Sequence, residues 1–106
     1  MGIEVLLAEL RAFVEARDWQ QFHTPENLAK GISIEAAELL ECYQWGSDAD
    51  LEQVKMELAD VLTYCLLLCD KLNLEPLETV RAKLEETKAK YPVEKARGSS
   101  SKYDRL

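Results

Sequence analysis

Two pairs of carboxylates, Glu35 with Glu38 and Glu57 with Asp60, lie three residues apart inside the two most apolar stretches of the chain. On an α-helix that spacing puts both members of a pair on one face, about one turn apart. On a helical projection Glu35 falls beside Leu28, Ile32 and Leu39, while Glu57 and Asp60 share a face with Val61, Tyr64, Leu67 and Leu68. All four acids are therefore expected to face inward. Carboxylates near a core repel one another and resist ionisation unless a positive partner joins them, and a divalent cation is the usual compensation. The pattern predicts a metal site built between two helices, which restricts the fold to one that sets those helices side by side.

The rest of the chain supplies the punctuation such a fold needs. Ile3, Leu6, Leu7, Leu10, Phe13 and Val14 recur at helical period and predict a first helix over 3–17. Trp19 to His23 break that period, and Thr24, Pro25 and Glu26 read as an N-cap followed by proline at the first helical position, opening a second helix over 25–43. Trp45 to Asp48 make a turn in which Ser47 or Asp48 is available to cap a third helix over 50–72. After a break at Asn73 to Pro76, a fourth helix carries Leu77, Val80 and Leu84 and is bounded by Pro92. No run alternates apolar and polar residues between turn signals, so strands are not expected. The reading is an all-α, four-helix subunit with one domain over 1–91. Residues 92–106, with Gly98 and three consecutive serines, form a basic C-terminal tail or lid too poor in apolar surface to pack as another element alone.

A 106-residue chain has only a small core, so association with other copies into an oligomeric helical bundle is expected. The net charge of -7 is uneven: residues 1–80 hold 5 basic and 16 acidic side chains, and residues 81–106 hold 8 basic and 4 acidic. An acidic body argues against a nucleic-acid polymer as partner, because such binding requires a basic surface. The basic tail could still meet the phosphates of a small ligand, the alternative being a solvated helix end followed by disorder. Cys42, Cys65 and Cys69 offer no C-x-x-C spacing and read as reduced core thiols. The N-terminus lacks a secretory pattern, and Leu58 to Cys69 is too short and too polar to span a bilayer, so a cytoplasmic protein without a membrane partner is expected.

Hard carboxylate oxygens favour Mg²⁺, with Mn²⁺ as a substitute, over zinc, and Mg²⁺ takes further oxygens from water and substrate phosphates. For a single Glu-x-x-Glu pair the competing reading is a solvated helix face; two apolar-flanked pairs weaken it. A di-iron bundle also uses paired carboxylates but takes Glu-x-x-His on facing helices. The sole histidine, His23, precedes the second helix.

Arg17-Asp18-Trp19 with Phe22-His23, then Asn27-Leu28, Glu35-x-x-Glu38 ending in Gln44-Trp45, Glu57-Leu58-x-Asp60-Val61-Leu62-x-Tyr64, and Lys90-Tyr91-Pro92 leading to Lys102-Tyr103 follow one another in a specific order. In this order the chain, from Arg17 to Leu106, resembles the all-α nucleotide pyrophosphohydrolases of the MazG-like superfamily, especially its small dCTPase-like branch. The resemblance implies attack of water on a nucleoside triphosphate between its α and β phosphates, releasing monophosphate and pyrophosphate, with dCTP or modified dCTP favoured and nucleotide-pool cleaning as the purpose. It further implies a homotetramer formed as two dimers. Glu35, Glu38, Glu57 and Asp60 would hold Mg²⁺, with Glu38 favoured as the base. Trp19, His23, Trp45 and Tyr64 would recognise base and sugar by stacking and edge hydrogen bonds; without the resemblance the tryptophans read equally as helix-end packing. Lys83, Lys90, Arg97, Lys102 and Tyr103 would hold the triphosphate. One departure stands out, since Thr87 occupies a position where the related enzymes commonly carry asparagine. A noncatalytic helical interaction module is the rival reading, in which the acids face a partner and the aromatics form its hot spot.

Overall fold

The computed structural model describes residues 2–106, and its regular structure is entirely helical, with no strand among the described residues. In chain order it comprises α1 (Ile3–Ala16), a 3₁₀ turn (Gln20–Phe22), α2 (Pro25–Glu41), α3 (Leu51–Lys71), α4 (Pro76–Lys90), a one-turn α5 (Val93–Ala96) and a second 3₁₀ turn (Tyr103–Arg105). The four long helices match the periodicity, and the all-α class holds. No helix among the described residues is long and apolar enough to cross a membrane.

The chain forms two compact units, one ending at Leu74 and the other running from Glu75 to Leu106. In the first, α2 and α3 pack along each other and α1 lies against α3. Leu7 and Val14 of α1 and Leu28 of α2 are its buried apolar side chains, Leu28 being only 1% exposed. Local chemistry sets where each helix starts. The Thr24 hydroxyl accepts from the Asn27 N–H at 3.1 Å, with Pro25 at the first helical position. Asp50 caps α3 by accepting from the Glu52 N–H at 3.1 Å. The expected caps, Ser47 and Asp48, stay in the connection, because only Asp50 directly precedes the first helical residue, where a side-chain oxygen reaches the exposed N–H groups.

Two helix ends share one device. After α1 the Asp18 N–H returns to the Glu15 carbonyl at 3.0 Å and the Trp19 N–H to the Val14 carbonyl at 3.1 Å, with Asp18 at φ 55°. After α3 the Asn73 N–H reaches Asp70 at 3.2 Å and the Leu74 N–H reaches Cys69 at 2.8 Å, with Asn73 at φ 57°. Both are Schellman closures in which a residue tolerant of the left-handed region takes the place usually held by glycine. The first reverses the chain directly into the segment that bears Trp19 and His23.

In the second unit, the Glu75 carboxylate accepts from the Glu78 N–H at 2.6 Å and Pro76 opens α4. Residues 92–106, too poor in apolar surface to pack as another element alone, contain α5 and the final 3₁₀ turn, which lean on Tyr91 outside the segment. The reason is aromatic: the Tyr91 and Tyr103 rings meet edge to face at 6.1 Å, and the Tyr103 N–H donates to the Tyr91 hydroxyl at 3.2 Å.

Candidate functional site

The antiparallel return through the 42–50 connection lets α2 and α3 confront their acidic faces. Glu35, Glu57 and Asp60 each offer one carboxylate oxygen, and these oxygens all lie within 4.8 Å of one another. Glu35 and Glu57 are half-buried, and the Oε2 atom of each is fully buried without a hydrogen-bond partner. The expectation that all four acids face inward holds only for these two: Glu38 and Asp60 are exposed. Each pair is thus split across the edge of the helix–helix contact, since residues three apart on a helix are offset by roughly 60° around its axis. Glu38 borders the three-oxygen group without joining it.

The electrostatics match this crowding. The Glu38 carboxyl is pushed above the ordinary carboxylate range, first by its shared hydrogen bond with Glu35 and next by that group's charge. Glu57 is also pushed up, first by loss of solvent and then by Glu38. A side chain overlooked in the sequence takes part: Gln53 Nε2 donates to Glu57 Oε1 at 3.5 Å, which occupies the outer oxygen and leaves Oε2 turned inward. The signal was available, because Gln53 sits one turn before Glu57 on the same face. Glu38, Gln53 and Glu57 line an acidic cleft of about 520 Å³. Two donorless buried oxygens on facing helices, in a set made only of carboxylates, fit a hard divalent cation.

Further along the same two helices an aromatic cleft of about 410 Å³ gathers Trp19, His23 and Tyr64. Its positioning is built from the α1 closure. Trp19 meets Phe13 edge to face at 5.6 Å, while the Arg17 guanidinium lies 3.8 Å from the Phe13 ring centre and donates to the Phe13 carbonyl at 2.9 Å. Asn27 Nδ2 donates to the Phe22 carbonyl at 3.0 Å and ties the 3₁₀ turn to α2. Phe22, Lys30, Gly31 and Ile34 also line this cleft and were not singled out as site residues; the α2 members recur at three- and four-residue spacing, which is the signal that could have found them. Ile34 precedes Glu35, and Tyr64 follows Asp60 by one turn, so the aromatic and acidic regions adjoin along both helices.

Other expected site residues are not gathered here. Trp45 is 92% exposed in the connection after α2 and lines neither cleft. Lys83, Lys90, Arg97, Lys102 and Tyr103 belong to the second unit. There Lys83 and Lys90 both pair with Glu86, at 3.2 and 3.1 Å, and hold its carboxyl below the ordinary range, Lys90 first. The Lys90 ammonium also lies 4.7 Å from the centre of the Tyr103 ring, and Arg97 and Lys102 are exposed. Thr87 donates to the Lys83 carbonyl at 2.9 Å, so its hydroxyl is engaged with its own helix.

A family profile described as "MazG-like family" matches residues 30–106. The dCTP pyrophosphatase 1 of Rattus norvegicus is 36% identical over 104 residues, covering 89% of this chain and 61% of the rat protein. The Homo sapiens protein of the same name is 34% identical, with 89% and 61% covered. The chain thus spans about three-fifths of the length of the curated relatives it matches. The crystal structure of a pyrophosphatase from Archaeoglobus fulgidus superposes with a TM-score of 0.78 at 46% identity, covering 85% of this chain and 92% of that one.

Proposed function

The chain belongs to the MazG-like family, and on that premise we propose that it is a Mg²⁺-dependent nucleoside triphosphate pyrophosphohydrolase. It cleaves (d)NTP to (d)NMP and pyrophosphate, favours dCTP or modified dCTP, and cleans the nucleotide pool of the cytoplasm. The observation that carries this reading is the pair of buried, donorless oxygens of Glu35 and Glu57 beside an aromatic cleft of base-binding character. The names of the relatives support the same reaction.

Glu35, Glu57 and Asp60 would hold the cation, with Glu38 completing the set or acting beside it. Mg²⁺, when bound, supplies charge neutralisation for the phosphates and lowers the pKa of a coordinated water, with Mn²⁺ able to substitute. Glu38, exposed and outside the three-oxygen group, would be the carboxylate that accepts the proton of the attacking water. Trp19 and Tyr64 offer aromatic faces to the base, and His23 a polar edge. Trp45, exposed on its own subunit, would reach a base only in an assembly. Lys83, Lys90, Arg97, Lys102 and Tyr103, with the 92–106 tail as a lid, would hold the triphosphate. Lys83 and Lys90 would exchange Glu86 for phosphate oxygens.

The assembly is a homotetramer, a dimer of dimers. Leu40, Leu51, Met56 and Leu62 of α2 and α3 stand exposed on the single chain, an apolar surface that association would cover. Incubation with a panel of ribo- and deoxynucleoside triphosphates, with Mg²⁺ or with EDTA, tests the activity. Equal yields of monophosphate and pyrophosphate, abolished by EDTA and by Glu57→Gln, are expected. Diphosphate with orthophosphate, or full activity in Glu57→Gln, would refute the reaction or the site.

A further inference from the structure

Gly31 lies in the interior of α2, where glycine weakens a helix relative to alanine and where no turn or positive φ requires it. What it permits is a close approach. A Cβ at this position would stand 2.5 Å from Cε1, 2.6 Å from Cδ1 and 3.2 Å from Cζ of Tyr64. Carbon atoms in contact settle at about 3.5–4.0 Å, so the ring edge of Tyr64 rests on backbone that any larger residue would cover. Both residues line the aromatic cleft. A ring displaced from α2 by roughly 1 Å therefore changes the space this cleft offers.

We propose that Gly31 is a specificity-determining position: by letting the Tyr64 ring lie against the α2 backbone, it sets the depth of the cleft and thereby the size of base admitted. The inference rests on the base-binding reading given above. Gly31 touches the ring and not the chemistry, so it is a positioning residue, and its effect belongs in KM and in discrimination between bases.

The test compares dCTP with 5-methyl-dCTP, which differ by one methyl group, using the full-length chain, Gly31→Ala, Tyr64→Val and the double variant. One methyl in a fitted pocket changes discrimination by about tenfold or more. Gly31→Ala is expected to raise the ratio of the two KM values, methylated over plain, by about tenfold with kcat changed less than twofold. Tyr64→Val, which removes the ring and with it every atom that a Cβ at position 31 would strike, moves the ratio the other way. In the Tyr64→Val background Gly31→Ala leaves the ratio unchanged, because the atoms it would strike are gone. An active parent whose Gly31→Ala ratio is unaltered, or is altered equally with and without the ring, overturns the inference alone. Should Gly31→Ala fail to fold, a Tyr64→Val ratio that rises or stays constant overturns it. A parent that hydrolyses neither nucleotide overturns the base-binding reading and the inference with it.

Discussion

Truncating Leu28 to alanine tests the packing on which the aromatic cleft stands. Leu28 is 1% exposed and lies between that cleft and a smaller one of about 200 Å³ beside the Arg11–Asp70 ion pair, lining both. Leu→Ala in a core costs about 2–5 kcal/mol, the larger figures applying where the vacated space stays closed and empty. Here the space opens to a cleft on either side and water can enter, which puts Leu28→Ala near about 3 kcal/mol. A 106-residue chain unfolding with about 2.1 cal/mol/K per residue loses about 0.22 kcal/mol per kelvin, so the melting temperature should fall by about 13 °C. Thermal denaturation followed by circular dichroism measures it, at fixed protein concentration because assembly would make the midpoint concentration-dependent. Leu28→Met, which keeps most of the volume, should cost less than about 1.5 kcal/mol. A fall of less than about 5 °C for the alanine variant would refute Leu28 as the packing centre of the first unit.

The remaining predictions concern charge and positioning. The carboxyls of Glu38 and Glu57 titrate higher in the fold than in the unfolded chain, so the stability they contribute is present while they are protonated and is lost as pH rises through their raised pKa values. Glu86 titrates lower, so its contribution is present above the ordinary carboxylate pKa and disappears as pH falls through its depressed value. Metal-free protein should therefore be most stable near the ordinary carboxylate range and lose stability both as pH rises toward the raised values and as it falls toward the depressed one. The gain in melting temperature on adding Mg²⁺ should grow toward neutral pH; a gain that shrinks over that interval, in paired melts with Mg²⁺ and EDTA, would contradict the site. Glu57→Gln should remove that gain without lowering the metal-free melting temperature at neutral pH, since it deletes a charge that Glu38 and Asp60 oppose. Phe13→Ala should unseat Trp19 and Arg17, raising KM several-fold with kcat retained and red-shifting tryptophan fluorescence; unchanged emission would show that Trp19 is held otherwise.

The sequence was most legible where a single physical rule acts locally. Thr24 and Pro25 announce α2, because a side-chain acceptor and a residue without an N–H suit the first turn of any helix. The cap of α3 was harder: Ser47, Asp48 and Asp50 are all competent acceptors, and the choice fell to the residue at which the chain leaves the connection. In the tail, composition left no element able to pack alone, and Tyr91, twelve residues before Tyr103, supplies the partner from outside it. Periodicity cannot register so isolated a pair.

At the site the division is finer. Spacing alone determined that Glu35 and Glu38, and likewise Glu57 and Asp60, share a helical face, and apolar neighbours determined that the two faces turn toward a core. Tertiary structure decided which acid of each pair is half-buried, because that depends on where the partner helix crosses, a rotation of tens of degrees that no count of residues specifies. It also decided that Gln53 braces Glu57, that Trp45 stands alone in solvent, and that Gly31 lies under Tyr64. The chain dictates what each helix can offer; contacts between residues distant in sequence arise only when the helices meet, and distances of about an ångström at that meeting determine which offers are used.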